Sequence, residues 1–440
     1  MDTAPPAALP WSPRQATSLP AGAHPLPVTL ALQGGGSLGA FSWGVLDRLL
    51  DEPRLRITVA SGASAGAMNA AMLVQGLATG GPAEAKRLLE ALWRRVAVAA
   101  GSPDLDGVDW LCPFTGIFSP VTGALRQATT TALPPAPLGP NPLRGVLEGL
   151  LTPAVFGKDG APTLIVSATR VRTGEAKLFR DAEVTAEVLL ASACLPQLFP
   201  PVEIEGDLYW DGGYAANPPL RPLIEAGAPA DVILVRTTPT ERPKPPRGAA
   251  DIRERAAELT FGTALRQELR SIAVAQRLLA ELPEAPPPGT ALARLREARL
   301  HLIGAEEAFR ALPGGSTLDV RWGFLRRLRD LGHEAAERWL GENLATVGLR
   351  STLDLAEFAG PAVELRAEDD RPPPSAPRVQ GSEPGSGSIG VASGANDAGV
   401  VGDTEAVAPT PEATSRETCL PWWRTLPWWR QVLSGFSVQV

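Results

Sequence analysis

The stretch ITVASGASAGAMNAAMLVQG, residues 57–76, contains no charged side chain and constrains the fold more than any other feature. It is long enough to cross a bilayer as a helix, but Gly, Ser, Asn, Gln and many Ala residues dilute its hydrophobicity. Parallel strands that are covered on both faces also give continuous apolar runs. We therefore predict a buried strand over 56–61 and a buried helix over 65–77, in preference to a membrane span.

A serine motif lies between these two elements. Residues 62–66, Gly-Ala-Ser-Ala-Gly, match the G-x-S-x-G pattern, in which a serine occupies a strained strand-to-helix turn. Gly62 and Gly66 have no Cβ, so neighbouring backbone can pack against the turn and leave the Ser64 hydroxyl accessible. The pattern is common by chance, and the strand before it and the helix after it make it more specific. The motif predicts Ser64 as a nucleophile, beside the positive end of a helix.

A second glycine turn precedes the serine motif. Residues 34–39, GGGSLG, satisfy G-x-G-x-x-G, and a dinucleotide site is one interpretation. That site needs an acidic residue about 20 positions later, where this chain has Ala60-Ser61 and then the serine motif. The other interpretation is an oxyanion hole, because N–H groups at a helix start suit an anion. The glycines of this turn are Gly34, Gly35, Gly36 and Gly39.

The three histidines give no obvious base for Ser64. His24 lies in a Pro-rich N-terminal segment, and His333 stands at the start of a predicted surface helix. His301 lies within a predicted strand, where a packed histidine is the favoured interpretation. A carboxylate is therefore the remaining candidate for the base.

An aspartate motif offers that carboxylate. In GDLYWDGGYAANPPL (206–220), Asp211 ends an apolar run, and Gly212 and Gly213 follow. Asp-Gly-Gly also occurs as a plain surface turn. A free carboxylate is a poor base towards a hydroxyl, but burial in a water-poor pocket raises its pKa and makes it a stronger base. A dyad of Ser64 and Asp211 is therefore chemically reasonable.

The three motifs, in this order, resemble those of the patatin-like phospholipase family. GGGSLG (34–39) is similar to its oxyanion-hole motif, GASAG (62–66) to its nucleophile motif and DGG (211–213) to its aspartate motif. The resemblance implies that Ser64 is the nucleophile, that Asp211 is the general base and that the glycine turn stabilises the oxyanion. It also implies hydrolysis of fatty acyl esters through an acyl-enzyme, without a metal or other cofactor.

Further segments extend the resemblance to about 28–355. The stretches 191–204 and 217–220 are similar to segments that flank the family's aspartate motif. Residues 261–272 and 331–355 look like an extension carried by one bacterial subgroup. The resemblance does not identify the lipid.

Strand and helix patterns alternate along the same part of the chain. We predict an α/β fold of three layers, with a mostly parallel central sheet, helices on both faces and the site at the carboxyl ends of the strands. The predicted strands are 28–32, 56–61, 163–171, 202–210, 231–236 and 298–303. The predicted helices are 39–50, 65–77, 83–98, 185–193, 250–281 and 332–345.

Composition divides the chain into five predicted parts. They are a disordered lead-in (1–27), a catalytic core (28–224), a helical extension of the same globule (225–365), a low-complexity linker (366–417) and a Trp-rich tail (418–440). Within the core, the insertion 101–127 is interpreted as a lid or lipid-entry loop, or as a packed cap.

The tail carries LPWWR twice in a segment without acidic residues. Trp and Arg favour membrane interfaces and anionic headgroups, which suggests a tethered interfacial anchor. Two prolines break the helical periodicity that an amphipathic anchor would show. Packing of the tail onto the catalytic core and docking of a protein partner therefore remain alternatives.

Composition excludes some classes of function and favours one setting. A net charge of −7 argues against a general nucleic-acid binder. The cysteines, Cys112, Cys194 and Cys419, are odd in number and far apart, so no disulfide framework follows and a reducing cytoplasm is expected. No Cys/His cluster has zinc-ligand spacing, and no signal peptide is recognised. We expect a cytoplasmic protein that can also sit at a membrane or lipid surface.

Two other functions remain open beside the lipid acyl hydrolase. One is a catalytically weak protein that acts at a lipid or storage-granule surface through its tail. The other is the nucleotide binder suggested by the glycine turn.

Overall fold

The computed structural model describes residues 24–102, 141–242, 245–313 and 315–359. These residues belong to one compact unit. The predicted linker and Trp-rich tail fall outside the described residues, as do nearly all of the predicted lid and of the predicted lead-in.

The centre of the fold is a mixed, mostly parallel sheet. Its order is β5-β6-β3-β2-β1-β7-β8, and β4 also pairs with β3. The pairs β1–β2, β1–β7, β2–β3 and β7–β8 are parallel, whereas β4, β5 and β6 pair antiparallel. The strands are β1 (Leu26–Leu32), β2 (Leu55–Ala63), β3 (Thr163–Arg170), β4 (Ala176–Arg180), β5 (Val202–Ile204), β6 (Asp207–Asp211), β7 (Asp231–Val235) and β8 (Arg299–Ile303).

Helices connect these strands and flank the sheet. They are α1 (Gly39–Leu49), α2 (Ala65–Ala99, two helical segments joined at a kink at Gly81, as the predicted helices 65–77 and 83–98 anticipate), α3 (Leu143–Leu147), α4 (Ala186–Ser192), α5 (Arg221–Glu225), α6 (Ala249–Ala280), α7 (Ala291–Glu297), α8 (Glu306–Ala311), α9 (Trp322–Asn343) and α10 (Ala356–Ala359). Short 3₁₀ helices cover Gly36–Leu38, Pro153–Val155, Asp181–Glu183, Gly212–Tyr214, Ser316–Leu318 and Leu344–Thr346.

The sheet buries both of its faces. Side chains alternate between the faces of a strand, and in β1 Leu30 and Leu32 join one apolar cluster while Ala31 joins the other. The first cluster includes residues of α1, α2 and α9, and the second includes residues of α5, α6 and α7. The predicted α/β class and the layering of helices on a mostly parallel sheet are therefore confirmed.

The uncharged run forms two elements, as predicted. Residues 57–63 lie in β2 and the remainder enters α2 after Ser64, and Met72 and Leu73 are fully buried. Within the described residues, no helix has the length and hydropathy of a membrane span.

Several predicted boundaries differ from the structure. The single strand 202–210 is a hairpin of β5 and β6, because Glu205 and Gly206 have φ of 52° and 83° and form a tight turn. The predicted helix 332–345 begins ten residues earlier, at Trp322, so His333 lies inside α9 rather than at its start. Gly332, the predicted start of that helix, lies inside α9 where it crosses α1: a Cβ there would come within 2.0 Å of the Phe41 carbonyl oxygen.

Strand β3 aligns two strands end to end. Ser167 pairs with Ala63 of β2 on one side and with β4 on the other, and the next residue, Ala168, pairs with Asp211 of β6 and again with β4. Because β4 occupies one side throughout, β2 and β6 share the opposite side of β3. Their carboxyl ends therefore meet.

Candidate active site

Ser64 occupies the turn between β2 and α2. Its φ of 54° and ψ of −127° lie outside the regions that non-glycine residues ordinarily adopt, and such a conformation costs about 1–3 kcal/mol. Close packing holds the turn in place: a Cβ on Gly66 would come within 2.1 Å of the Leu32 carbonyl oxygen. The Ser64 N–H donates to the hydroxyl of Ser192 at 2.9 Å. The Ser64 side chain is half-buried, as suits a hydroxyl presented to a substrate.

Asp211 ends β6 and is held through its backbone. Its N–H donates to the Cys194 carbonyl oxygen, and its carbonyl oxygen accepts a hydrogen bond from the Thr169 hydroxyl, each at 2.8 Å. Its side chain is fully buried, and Oδ1 accepts the Gly213 N–H at 2.8 Å. Oδ2 has no hydrogen bond of regular geometry to any described residue. The carboxyl group is thus fixed through one oxygen and open at the other.

The carboxyl end of β6 brings Asp211 to Ser64. Burial raises the pKa of Asp211 to about 7, against the opposing effects of the Ser64 hydroxyl and the Gly213 N–H. The Ser64 hydroxyl is therefore near enough to act on the carboxyl group, although the contact is not a hydrogen bond of regular geometry. A carboxylate with this pKa accepts a proton at neutral pH far more readily than an ordinary aspartate does.

The surroundings of Asp211 are apolar or uncharged. Burial raises the pKa of the Cys194 thiol to about 11, and the nearby Asp211 adds to the rise. Burial also raises the pKa of Tyr214, whose ring lies 4.9 Å from that of Phe261, measured between centroids. Neutral neighbours of this kind leave the Asp211 charge without a cationic partner, which keeps its pKa high.

The glycine turn packs directly against Ser64. A Cβ on Gly34 would come within 2.8 Å of both the Ser64 Cβ and the Ala63 carbonyl oxygen. Gly36 has a φ of 60°, and its Cα faces the carbonyl oxygen of Thr317. The two motifs, which are separate in sequence, therefore form one surface.

The predicted oxyanion glycines differ in the use of their N–H groups. The Gly34 N–H donates to Asn217 Oδ1 at 2.8 Å, and the Gly39 N–H is taken by the carbonyl oxygens of the preceding 3₁₀ turn. The N–H groups of Gly35 and Gly36 have no partner among the described residues, as is usual for the first N–H groups of a helix. Of the four, these two remain able to bind an anion.

Five glycines of the three motifs lie so close to neighbouring atoms that a side chain would not fit. A Cβ on each would come within 2.6 Å of a neighbouring atom; the residues concerned are Gly39, Gly62, Gly66, Gly212 and Gly213.

The histidines take no part in this arrangement. His301 is fully buried in β8, where its ring nitrogens lie 3.1 Å from Asp231 Oδ1 and from Thr352 Oγ1. His333 is half-buried within α9, and His24 is exposed before β1. Among the described residues, no group of three or more His, Cys, Asp or Glu side chains could hold a metal ion.

Three side chains that support the site did not stand out in the sequence as functional. Ser192 accepts the Ser64 N–H, Asn217 accepts the Gly34 N–H, and Thr237 donates its hydroxyl to the Gly34 carbonyl oxygen at 2.9 Å. Ser192 and Asn217 lie in the segments 191–204 and 217–220 that contributed to the family resemblance. Thr237 carries no local signal, because its partner is distant in sequence.

Comparisons with known proteins agree with the motifs. Residues 30–224 match the family model described as patatin-like phospholipase. Among solved structures, the crystal structure of VipD from Legionella pneumophila is similar at 17% sequence identity and a TM-score of 0.33, over 72% of this chain and 67% of that chain. A structural similarity at this level carries no argument about fold or function. No curated protein matches the chain.

Proposed function

Residues 30–224 match the family model described as patatin-like phospholipase, and from that match we propose that the protein is a lipid acyl hydrolase that cleaves fatty acyl esters with Ser64 and Asp211. The observation that carries the proposal is the fully buried Asp211 carboxyl group, which has one oxygen without a hydrogen bond of regular geometry and lies beside a serine on a strained turn. A buried polar atom that is poorly hydrogen-bonded is costly, and proton transfer would account for its retention.

In the first half of the reaction, the Ser64 hydroxyl oxygen bonds to the acyl carbonyl carbon. The hydroxyl proton passes to Asp211 Oδ2, and the carbonyl oxygen becomes an oxyanion. The N–H groups of Gly35 and Gly36 bind this oxyanion, and one such donor is typically worth about 3 kcal/mol in the transition state. The ester C–O bond then breaks, and Asp211 returns the proton to the leaving alcohol.

In the second half, water attacks the acyl-enzyme. Asp211 takes a proton from the water, the tetrahedral intermediate forms again at the glycine turn, and the fatty acid leaves as Ser64 recovers its proton. The Gly213 N–H holds Asp211 Oδ1 throughout, so Oδ2 is the atom that carries the proton.

The test compares Ser64→Ala with a matched serine variant. Ser61 lies on β2, and its fully buried hydroxyl has no partner among the described residues. We expect Ser64→Ala to lose turnover of short-chain nitrophenyl esters and labelling by a fluorophosphonate, whereas Ser61→Ala keeps both. Normal hydrolysis by a folded Ser64→Ala variant would overturn the proposal.

The substrate is identified in a separate experiment. Wild type and Ser64→Ala are incubated with a panel of phospholipids, glycerides and polyester oligomers, and mass spectrometry follows the products. Products that arise only with the wild-type protein define the head group and chain length.

Membrane contact through residues 418–440 and a cytoplasmic location are further parts of this proposal. The support is the repeated LPWWR sequence, whose Trp and Arg residues suit an anionic interface. Deletion of 418–440 should reduce binding to anionic liposomes and leave hydrolysis of soluble esters unchanged. Unchanged liposome binding would remove the tail from the proposal.

A further inference from the structure

The glycine turn is held by two buried side chains from loops that follow other strands. The backbone pairing of β1 and β7 ends at Leu32 and Val235, and the Gln33 N–H adds one bond to the Val235 carbonyl oxygen at 3.1 Å. Beyond this point Thr237, which follows β7, and Asn217, which follows β6, make the contacts. We name these two side chains the polar clamp.

The polar clamp binds Gly34 on both sides. Asn217 Oδ1 accepts the Gly34 N–H at 2.8 Å, and the Thr237 hydroxyl donates to the Gly34 carbonyl oxygen at 2.9 Å. Both side chains are fully buried, so neither bond is in competition with water. Two buried hydrogen bonds fix the orientation of this residue.

Thr237 is itself held in place. Its N–H donates to Gln33 Oε1 at 2.9 Å, and the Thr238 N–H and hydroxyl donate to the same oxygen at 3.3 and 3.2 Å. The Thr237 hydroxyl also lies against Gly35, where an added Cβ would come within 2.6 Å of it. Its position therefore leaves the turn little freedom to shift.

The planarity of the peptide bond transmits this contact to the oxyanion hole. The Gly34 carbonyl and the Gly35 N–H belong to the same trans peptide unit and point in opposite directions. A hydrogen bond that fixes the carbonyl on one side thereby fixes the direction of the N–H on the other. Gly35 is one of the two glycines whose N–H has no partner among the described residues.

We infer that Thr237 is a positioning residue that orients the Gly35 N–H towards the oxyanion. The inference rests on the proposed function, because it assigns no role to Thr237 without an oxyanion to bind. Thr237 does not touch the reacting atoms; it acts through the peptide unit between Gly34 and Gly35.

The test removes the hydroxyl and keeps the shape of the side chain. We expect Thr237→Val to lower kcat for a nitrophenyl ester by about 10- to 100-fold with little change in KM, because only the transition state uses the oriented N–H. Thr237→Ser keeps the donor and should retain kcat within about threefold of wild type. If the valine variant fails to fold, Thr237→Ala and Thr237→Ser make the same comparison.

Thr29→Val is the matched control. Thr29 is also fully buried and donates its hydroxyl to a backbone carbonyl, that of Pro229, but it lies in the middle of β1 and makes no hydrogen bond to the glycine turn. Thr29→Val should lower the melting temperature and leave kcat unchanged. An equal loss of kcat in this variant would mean that any buried threonine acts through stability alone.

An inhibitor that forms an oxyanion completes the test. A trifluoromethyl ketone adds the Ser64 oxygen to its carbonyl carbon, and its inhibition constant should rise in Thr237→Val by the same factor as kcat/KM falls. Wild-type kcat and inhibition in a folded Thr237→Val variant would overturn this inference and leave the proposed function standing. An inactive wild-type protein that a fluorophosphonate does not label would overturn both.

Discussion

Two buried aspartates of the sheet have opposite properties. Asp211 ends antiparallel β6 beside Ser64, whereas Asp231 begins β7 and so lies at the opposite end of the parallel strands from the serine turn. Their side chains are almost equally inaccessible, with exposed fractions of 0% and 4% for the two residues. Burial alone therefore does not decide what a carboxyl group does in this fold.

The difference lies in the partners. Asp231 contacts Arg299 through both oxygens and also receives the Gly348 N–H, and His301 Nε2 lies 3.1 Å from its Oδ1. Burial would raise the pKa of Asp231, but the hydrogen bonds and charges of these partners outweigh burial and lower it. The Asp211 carboxyl group has only the Gly213 N–H and the Ser64 hydroxyl as partners, which do not outweigh burial, and its pKa rises to about 7.

The comparison also shows why a buried histidine–aspartate pair is not evidence of catalysis. His301 and Asp231 have the contact expected of two triad members, but the remaining ring nitrogen of His301 meets Thr352, and its ring packs edge-on against Trp339. This pair joins β7 and β8 to the segment that follows α9. The fold thus uses a paired aspartate for structure and a carboxylate without a cation for the proposed chemistry.

The largest expected effect that separates the two sites is on activity. Asp211→Asn removes the proposed base and should lower kcat/KM for ester hydrolysis by about 10³-fold or more. Asp231→Asn should change kcat/KM by less than about threefold at temperatures where the variant is folded. Steady-state kinetics on both variants measures the contrast, and equal losses would refute the division of roles.

The next largest effect is on stability, and here Asp231 rather than Asp211 is expected to matter. Asp231→Asn leaves the Arg299 charge and His301 without their carboxylate, and at pH 7 it should lower the free energy of unfolding by about 2–3 kcal/mol. Arg299 is partly exposed, so the loss is expected at the lower end of the range for buried pairs. Denaturant unfolding measures it, and an unchanged midpoint and slope would show that Asp231 is not structural.

Asp211→Asn is expected to stabilise the protein above neutral pH. A pKa of about 7 in the folded state, above 3.8 when unfolded, means that the folded protein binds more protons between these values, so wild-type stability falls as pH rises towards 7. The neutral asparagine avoids this loss and should be more stable than wild type by about 2 kcal/mol at pH 8. The gap should shrink by pH 5, and denaturant unfolding at both pH values tests this.

The smallest effect is the pH dependence of activity. The proposed base must be ionised, so kcat/KM should fall on the acid side of about pH 7 and reach roughly one tenth of its plateau one pH unit below. The lowered pKa of Asp231 adds stability that is present above the unfolded pKa of about 4 and is lost as pH falls further. The fall in kcat/KM between pH 7 and pH 6 is therefore not caused by acid unfolding at Asp231. A kcat/KM profile flat from pH 5 to 8 would exclude Asp211 as the base.

The sequence was most informative where structure depends on neighbouring residues. Gly62 to Gly66 and the glycine turn each predicted a strand, a turn and a helix, and the structure has these elements in order. The antiparallel edge was harder: β4 has five residues, and Glu205-Gly206 reverses the chain inside a run that looked like one strand. Short strands and tight turns give weak periodicity, so pattern alone does not resolve them.

The contacts that support the site could not be predicted from the sequence for a different reason. Thr237 and Asn217 reach Gly34 from positions about 200 residues away in sequence, through pairings that no local pattern specifies. The raised pKa of Asp211 likewise depends on Cys194 and the other groups that exclude water from it. The family resemblance pointed to Ser64 and Asp211, but it could not supply the surroundings that set their chemistry.

The shared flank of β3 has a consequence for how this chain tolerates change. Ser167 and Ala168 pair with the last residues of β2 and β6. The register of this one short strand therefore sets the positions of both residues of the proposed dyad. Insertions in the connections before and after β3 leave its register with β2 and β6 unchanged. Deleting one residue within β3 would instead shift either Ser64 or Asp211 by about 3.3 Å relative to the other and turn the neighbouring β3 side chains to the opposite face of the sheet. We therefore expect length changes to be tolerated far from β3 and not within it.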